Sequence, residues 1–322
     1  MDFKDFTAGK DDDGRRLDRI LHKILPELPS SGLYSAIRKK LIHVNGRTCR
    51  GNQIIVLGDC IQVASFLISQ SKAQDNNTND KIKPLNESDI VFINEHILVV
   101  NKKSGISVQP GGYGTSLSEQ VVQFYRKMHV DSSISFNPGP LHRLDRFTSG
   151  LVAFSLSLEG AKWFTEEMKD HRIKKDYLGI VKGYLKEQET WTDLIEDSNS
   201  DKKGFFTVRI SDKGEKAVTE AIPLSFSGEK DLTLVQFKIH TGKKHQIRCQ
   251  SAFHGHPLYG DSAYTTNHSE ENRSKFYLHA LRLTFPKDNP LSIPEHLEAP
   301  IPQDFEKFLS LNLINWNRQI IL

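Results

Sequence analysis

Three cysteines, three methionines and three tryptophans are all that this 322-residue chain contains of those types. Cys49, Cys60 and Cys249 are odd in number and far apart. That spacing supplies no metal-binding pair and no disulfide framework. A reducing cytoplasm is the expected location. No apolar run approaches the roughly 20 residues that a membrane span needs. The opening Met1-Asp2-Phe3-Lys4-Asp5 lacks a basic segment followed by an apolar one, so no secretion signal is expected. A phosphate-binding loop is missing too: Gly105, Pro110, Gly111, Gly112 and Gly114 form a flexible loop, but no Gly-Lys-Ser/Thr ending follows. Nor does a solenoid-length repeat recur.

Net charge is only +3, so the distribution carries more information than the sum. Residues 36–50 hold Arg38, Lys39, Lys40, Arg47 and Arg50 and no acid. Taken alone, such a cluster is as readily a solvated face as a binding site.

The length suggests about two domains. Residues 1–14 read as a frayed acidic lead-in. Leu17, Ile20, Leu21, Ile24 and Leu25 then form one helical stripe, ended by Pro26 and Pro29. Ser30 and Ser31 can cap a second helix with Leu33, Ala36 and Ile37 on one face. Asn45-Gly46 marks a hairpin, and Gly58-Asp59 precedes a strand at Cys60–Val63. Arg16-Leu17-Asp18-Arg19-Ile20, the helix ending at Lys39-Lys40, Val44-Asn45-Gly46 and Gly58-Asp59 resemble, in that order, the RNA-binding module named for small-subunit ribosomal protein four. The resemblance implies contact with structured RNA through the second helix and its basic neighbourhood: Arg38, Lys39, Lys40 and Arg47.

This module is expected at 15–68. Residues 69–84 are too polar to bury much surface and read as a flexible linker. A second domain is expected at 85–322. Ile90–Ile93 and Ile97–Val100 are β-rich runs; Leu178, Ile180 and Val181 read as a buried strand. Ala161, Phe164 and Met168 share a helix face. Between Leu232 and Ile239 the alternation slips by one residue, which predicts a bulge. After Pro300, Phe305, Phe308 and Leu309 predict a covering helix. Strands outnumber helices without regular alternation, which predicts an α+β fold: a small domain of two helices plus a hairpin, then a domain with a mixed, largely antiparallel sheet.

The densest polar cluster is His142-Arg143-Leu144-Asp145-Arg146-Phe147-Thr148, followed at once by apolar Leu151-Val152-Ala153-Phe154. A loop salt bridge is the simplest reading of that cluster alone, but exposed pairs contribute little. Three further segments change the weighing: Lys175-Asp176-Tyr177 opening a strand, Thr241 to Arg248, and His256 to Tyr264 followed by Leu278-His279-Ala280. In this order and spacing they resemble the RluA family of pseudouridine synthases, from about Ile90 to Phe285. Lys175-Asp176-Tyr177 and Tyr34 to Lys39 look closest to RluC-like members, which modify large-subunit ribosomal RNA.

The resemblance implies that Asp145 is the catalytic aspartate, Tyr177 the active-site tyrosine and Arg248 the basic partner of the aspartate. It implies no cofactor and no metal, and a reaction that breaks the C1′–N1 glycosidic bond, turns the uracil and rejoins it through C5. A carboxylate suits the developing oxocarbenium charge, and a paired guanidinium keeps it ionised. Tyrosine offers an aromatic face and a mobile proton. Attack at C1′, attack on the base and a glycal route all remain open. A uridine in folded RNA must be flipped out, and Arg143 is placed to fill the gap.

Phe147, Gln109, Lys243-Lys244 and Gln250 depart from the family's usual residues. They bear on the target more than on the reaction. His254-Gly255-His256 lacks a third metal ligand at recognisable spacing. A monomer acting on structured RNA is the expected state. The competing readings are a non-catalytic RNA-binding ribosome assembly factor and a hydrolase of small glycosides. A single dominant carboxylate, not an evident pair, argues against the hydrolase.

Overall fold

The computed structural model of the chain describes residues 1–72, 82–111, 114–128, 133–198, 207–265, 275–312 and 314. Its first part comprises strands β1 (Phe3–Thr7), β2 (Ile42–Val44), β3 (Arg47–Thr48) and β4 (Cys60–Ala64), with helices α1 (Leu17–Ile24), α2 (Ser30–Arg38) and α3 (Ser65–Lys72). Asn45 and Gly46 both take positive φ, 52° and 71°, as the tight β2–β3 turn requires. The buried stripe of α1 (Leu17, Ile20, Leu21) packs with Leu33 and Ala36 of α2 against Ile42, Val44, Ile61 and Val63.

Three expectations change here. The lead-in is not frayed: β1 pairs antiparallel with β4 from Phe3–Ala64 to Thr7–Cys60. Asp12 is fully buried and accepts hydrogen bonds from the backbone N–H groups of Gly9, Ile134 and Ser135 and the hydroxyls of Ser133 and Ser135. Pro29, not a serine, stands at the N-cap of α2. Helix α3 continues to Lys72, into the stretch read as linker, while 73–81 lie outside the described residues.

The second part is built on an eleven-stranded sheet. Its strands are β5 (Ile90–Ile93), β6 (Ile97–Lys102), β7 (Gly139–Pro140), β8 (Ser149–Ser155), β9 (Lys174–Lys182), β10 (Glu189–Asp197), β11 (Val208–Ile210), β12 (Glu215–Ser227), β13 (Leu232–Ile239), β14 (Leu278–Thr284) and β15 (His296–Glu298). The main path runs β11-β10-β12-β13-β9-β14-β8-β6-β5, with β15 on β14 and β7 on β8. Among the described residues only β14 and β8 run parallel. The fold is α+β with a mixed, largely antiparallel sheet.

Helices α4 (Leu117–Met128), α5 (Leu158–Lys169), α6 (Gln246–Phe253) and α7 (Gln303–Leu311) complete the fold. Because strand side chains alternate between faces, Leu98, Val100, Val152 and Phe154 meet Val121 of α4 on one face, while Ile97, Val99, Leu151 and Ala153 meet Phe164 of α5 on the other. Phe305 and Leu309 of α7 cover Leu178, Ile180, Leu234 and Leu281. Strand β13 is continuous in register with β9; the bulge lies in its other neighbour, β12, between Pro223 and Ser225. The slipped pattern in β13 instead reflects burial of both faces, which removes the need for alternation.

Candidate active site

The Asp145 loop enters β8 through Gly150, whose φ is +106° and whose missing Cβ would lie 2.2 Å from the carbonyl oxygen of Ala280. No other residue allows β8 to approach β14 this closely. The loop is pinned from behind by the last residue of β6 and those that follow it. Ser104 donates to the carbonyl of Phe147, Gly105 exchanges two hydrogen bonds with Arg146, and the Lys102 ammonium donates to the carbonyls of Lys103, Ile106 and Arg146 at 2.9–3.1 Å. Burial pushes Lys102 down to about 7, with Asp145 pulling the other way.

Asp145, Tyr177 and Arg248 come from a loop, a strand and a helix, with 103 residues between the first and the last, and line one pocket together with Arg143, Thr148 and His245. The pocket is shallow, about 60 Å³, and larger clefts exist elsewhere. The Arg248 guanidinium donates through Nη1 to Asp145 Oδ2 at 3.0 Å. Its other edge donates to Asp261, Nε to Oδ2 at 2.6 Å and Nη2 to Oδ1 at 2.9 Å. Its faces lie against the Phe276 and Tyr264 rings, 4.5 and 5.1 Å from their centroids. Side-chain exposure falls from 24% at Asp145 to 9% at Arg248 and 2% at Asp261. Burial works against the charge on Arg248, but the two carboxylates outweigh it and hold the guanidinium more firmly protonated than usual.

Tyr177 is 6% exposed. Burial, then the Asp145 charge, raise its phenol well above the usual range, so it presents a protonated hydroxyl and an aromatic ring. His245, in left-handed backbone at the N-cap of α6, has Nε2 3.7 Å from Asp145 Oδ1 and Nδ1 2.9 Å from the Tyr264 hydroxyl. Burial lowers its pKa, with Asp145 opposing.

Arg143 is exposed at the pocket rim and makes no hydrogen bond or ion pair among the described residues. Arg38, Lys39, Lys40, Arg47 and Arg50 are exposed at the end of α2 and around the β2–β3 turn, equally without a paired acid. Asp261 and Lys102 are the residues that sequence reasoning missed. Asp261 stood inside the His256–Tyr264 motif, but nothing in the sequence says which cation it meets. Two of the departures from the family pattern, Gln250 and Phe147, have structural roles. Gln250 is buried and bonds Thr219, Asp193 and the carbonyls of Trp191 and Ala217. Phe147 packs edge-on to Phe276. His254 faces Asp193 and stacks on Trp191, whereas His256 faces the carbonyl of Lys182, so the two histidines do not converge.

A family model described as RNA pseudouridylate synthase matches residues 96–253. The chain is 29% identical over 317 residues to the ribosomal large subunit pseudouridine synthase C of Pasteurella multocida, covering 95% of this chain and 93% of that one. It is 26% identical over 310 residues to the protein of the same name from Escherichia coli K12, covering 93% of each. In fold it is similar to human RNA pseudouridylate synthase domain containing 4, with a TM-score of 0.57, 20% identity, and coverage of 72% of this chain and 95% of that one.

Proposed function

We propose that this chain, whose residues 96–253 match the RNA pseudouridylate synthase family, is an isomerase that converts uridine in RNA to pseudouridine and acts on large-subunit ribosomal RNA, with Asp145 as the group that works at the glycosidic bond. The observation that carries the aspartate is the Asp145–Arg248–Asp261 chain beside the buried ring of Tyr177. The ribosomal target is supported by relatives aligned over nearly their whole length.

Isomerisation breaks C1′–N1 and forms C1′–C5; C5 gives up its hydrogen as a proton to solvent and the freed N1 takes up one proton, so the product is an isomer of uridine. Positive charge develops at C1′ as the first bond parts, and an ionised carboxylate next to it stabilises that charge or adds to it. Arg248 aims Asp145 through the 3.0 Å hydrogen bond from Nη1 to Oδ2. Asp261 occupies the rest of the guanidinium, so only one edge faces the reacting carboxylate. Tyr177 supplies the ring face for uracil and a hydroxyl that donates. No cofactor or metal enters this scheme. Arg143, free at the rim, takes the place of the flipped uridine in the RNA stack.

The first part of the chain acts as the RNA-holding module, the residues from about 85 onward as the catalytic domain, and 69–84 as their connection. Phe3–Thr7 adds a strand to the module's sheet. Arg38, Lys39, Lys40 and Arg47 supply phosphate contacts. A monomer working in the cytoplasm completes the reading.

The test is pseudouridine mapping of ribosomal RNA in cells with the protein, without it, and with Asp145→Asn. Loss of the same sites in the last two supports both target and carboxylate. Loss only in the deletion removes Asp145 from the chemistry. Unchanged ribosomal sites in both would remove the target and turn attention to transfer RNA.

A further inference from the structure

Among the described residues three cations are buried, Lys102, Lys175 and Arg248, and two are fully engaged: Lys102 by three carbonyls, Arg248 by two carboxylates. The third is Lys175, on β9. Its side chain is as buried as that of Arg248, with the residue 8% exposed, yet its ammonium makes no hydrogen bond or ion pair among the described residues. A buried charge without a partner is costly, and native structures rarely keep one without a use.

The ammonium lines a cleft of about 350 Å³ at the ends of β9 and β13, with Lys174, Lys238, His240 and Gly242. Gly242 packs close to it: a Cβ there would stand 3.2 Å from Nζ, so glycine leaves the ammonium the room that a side chain would take. The cleft also holds Asp176 and Glu220, but Glu220 is engaged by His240 at 2.7 Å. Lys174, Lys175 and Lys238 leave the balance positive, which suits an anion.

Position decides which anion. Lys175 and Tyr177 stand two residues apart on β9 and so project to the same face, about 7 Å apart. Ile239 lines both this cleft and the Asp145 pocket. A strand whose uridine sits on Tyr177 therefore passes its backbone across the mouth of the cleft.

We propose that Lys175 is a positioning residue that grips a phosphodiester of the RNA strand next to the nucleotide being isomerised. This rests on the reading that RNA occupies the Asp145 pocket. The cost of leaving the ammonium unpaired in the free protein is the counterpart of a strong charge-assisted contact in the complex. It sets the sugar of the target uridine against Asp145.

The experiment uses the full chain with a transcript it modifies: large-subunit ribosomal RNA or, failing that, transfer RNA. Modification of transfer RNA alone would refute the ribosomal target, and the Lys175 comparison is then read on that transcript. Lys175→Met keeps the length of the side chain and removes its charge. It is expected to raise the half-saturating RNA concentration about tenfold, more than it lowers the saturated rate. The salt dependence of binding should become shallower by about 0.7 in log–log slope, the loss of one phosphate contact on a single strand. Without RNA the variant should melt no lower than wild type. Gly242→Ala, which keeps the lysine but places a methyl against Nζ, should weaken binding in the same direction. Unchanged affinity and slope in both variants would overturn the proposal. So would a Lys175→Met protein that melts well below wild type, because the ammonium would then have an internal structural role.

Discussion

Replacing Asp261 with asparagine tests whether the guanidinium of Arg248 is aimed from behind. Both groups are almost wholly buried, and two charge-assisted hydrogen bonds of 2.6 and 2.9 Å join them. Asparagine keeps the shape but turns one acceptor into an NH₂ that faces an N–H donor. Breaking one partner of a buried pair costs about 3–5 kcal/mol. The retained oxygen places this case near the lower end, about 3 kcal/mol. At about 2–4 °C per kcal/mol for a domain of this size, the melting temperature should fall by about 6–12 °C. Catalysis should fall further than stability requires. A guanidinium freed to swing toward Asp145 misplaces that carboxylate, and misplacement near 1 Å costs about a hundredfold. The assay is tritium release from RNA carrying C5-labelled uridine, run well below the variant's melting temperature, because isomerisation detaches the C5 hydrogen. Asp304→Asn, which removes a half-exposed ion pair with Lys275, serves as the control and should stay within about 1 kcal/mol. Asp261→Asn with nearly wild-type release would refute the orienting role, even if its melting temperature fell.

Arg143→Ala should slow turnover on folded RNA by about tenfold or more and on a short unpaired strand far less, since only the folded substrate pays for unstacking; equal effects in single-turnover assays on the two substrates would remove the gap-filling role. Changing Arg38, Lys39, Lys40 and Arg47 together to alanine should flatten the salt dependence of RNA binding by about three to four log units per log unit, with little change in the rate on bound RNA. A flat salt response in the unaltered protein would remove that edge from binding. Lys175 also predicts a pH dependence of stability. Burial lowers its pKa to about 8 from an ordinary 10.5, so the folded state releases a proton that the unfolded chain still holds. Between pH 8 and 10.5 wild-type stability should therefore rise, by up to about 3 kcal/mol. Below pH 8 the penalty is fully present. Denaturant titrations of wild type and Lys175→Met across that range should converge as pH rises; parallel curves would mean that the lysine is not desolvated.

Elements fixed by local chemistry were legible in the sequence: the α1 stripe, the Asn45-Gly46 turn, the β5–β6 hairpin and the covering helix α7 all follow from short-range patterns. The lead-in strand β1 was not. Phe3-Lys4-Asp5-Phe6-Thr7 is short and charged, and its strand character comes from pairing with β4 more than fifty residues away. Likewise the slipped pattern of β13 was a local signal with a non-local cause, because a strand buried on both faces is released from alternation. The site followed the same division. Asp145, Tyr177 and Arg248 could be named from motifs and do line one pocket, but their electrostatics could not be read from the motifs. Lys102 and Lys175 look alike in sequence, each a lysine at the end of an apolar strand that a reader would place in solvent. Tertiary structure separates them: one ammonium is caged by carbonyls that brace the Asp145 loop, the other is left facing an open cleft. A charge that the fold buries but does not satisfy has its partner outside the chain, and in an enzyme of RNA the most abundant such partner is the phosphate backbone.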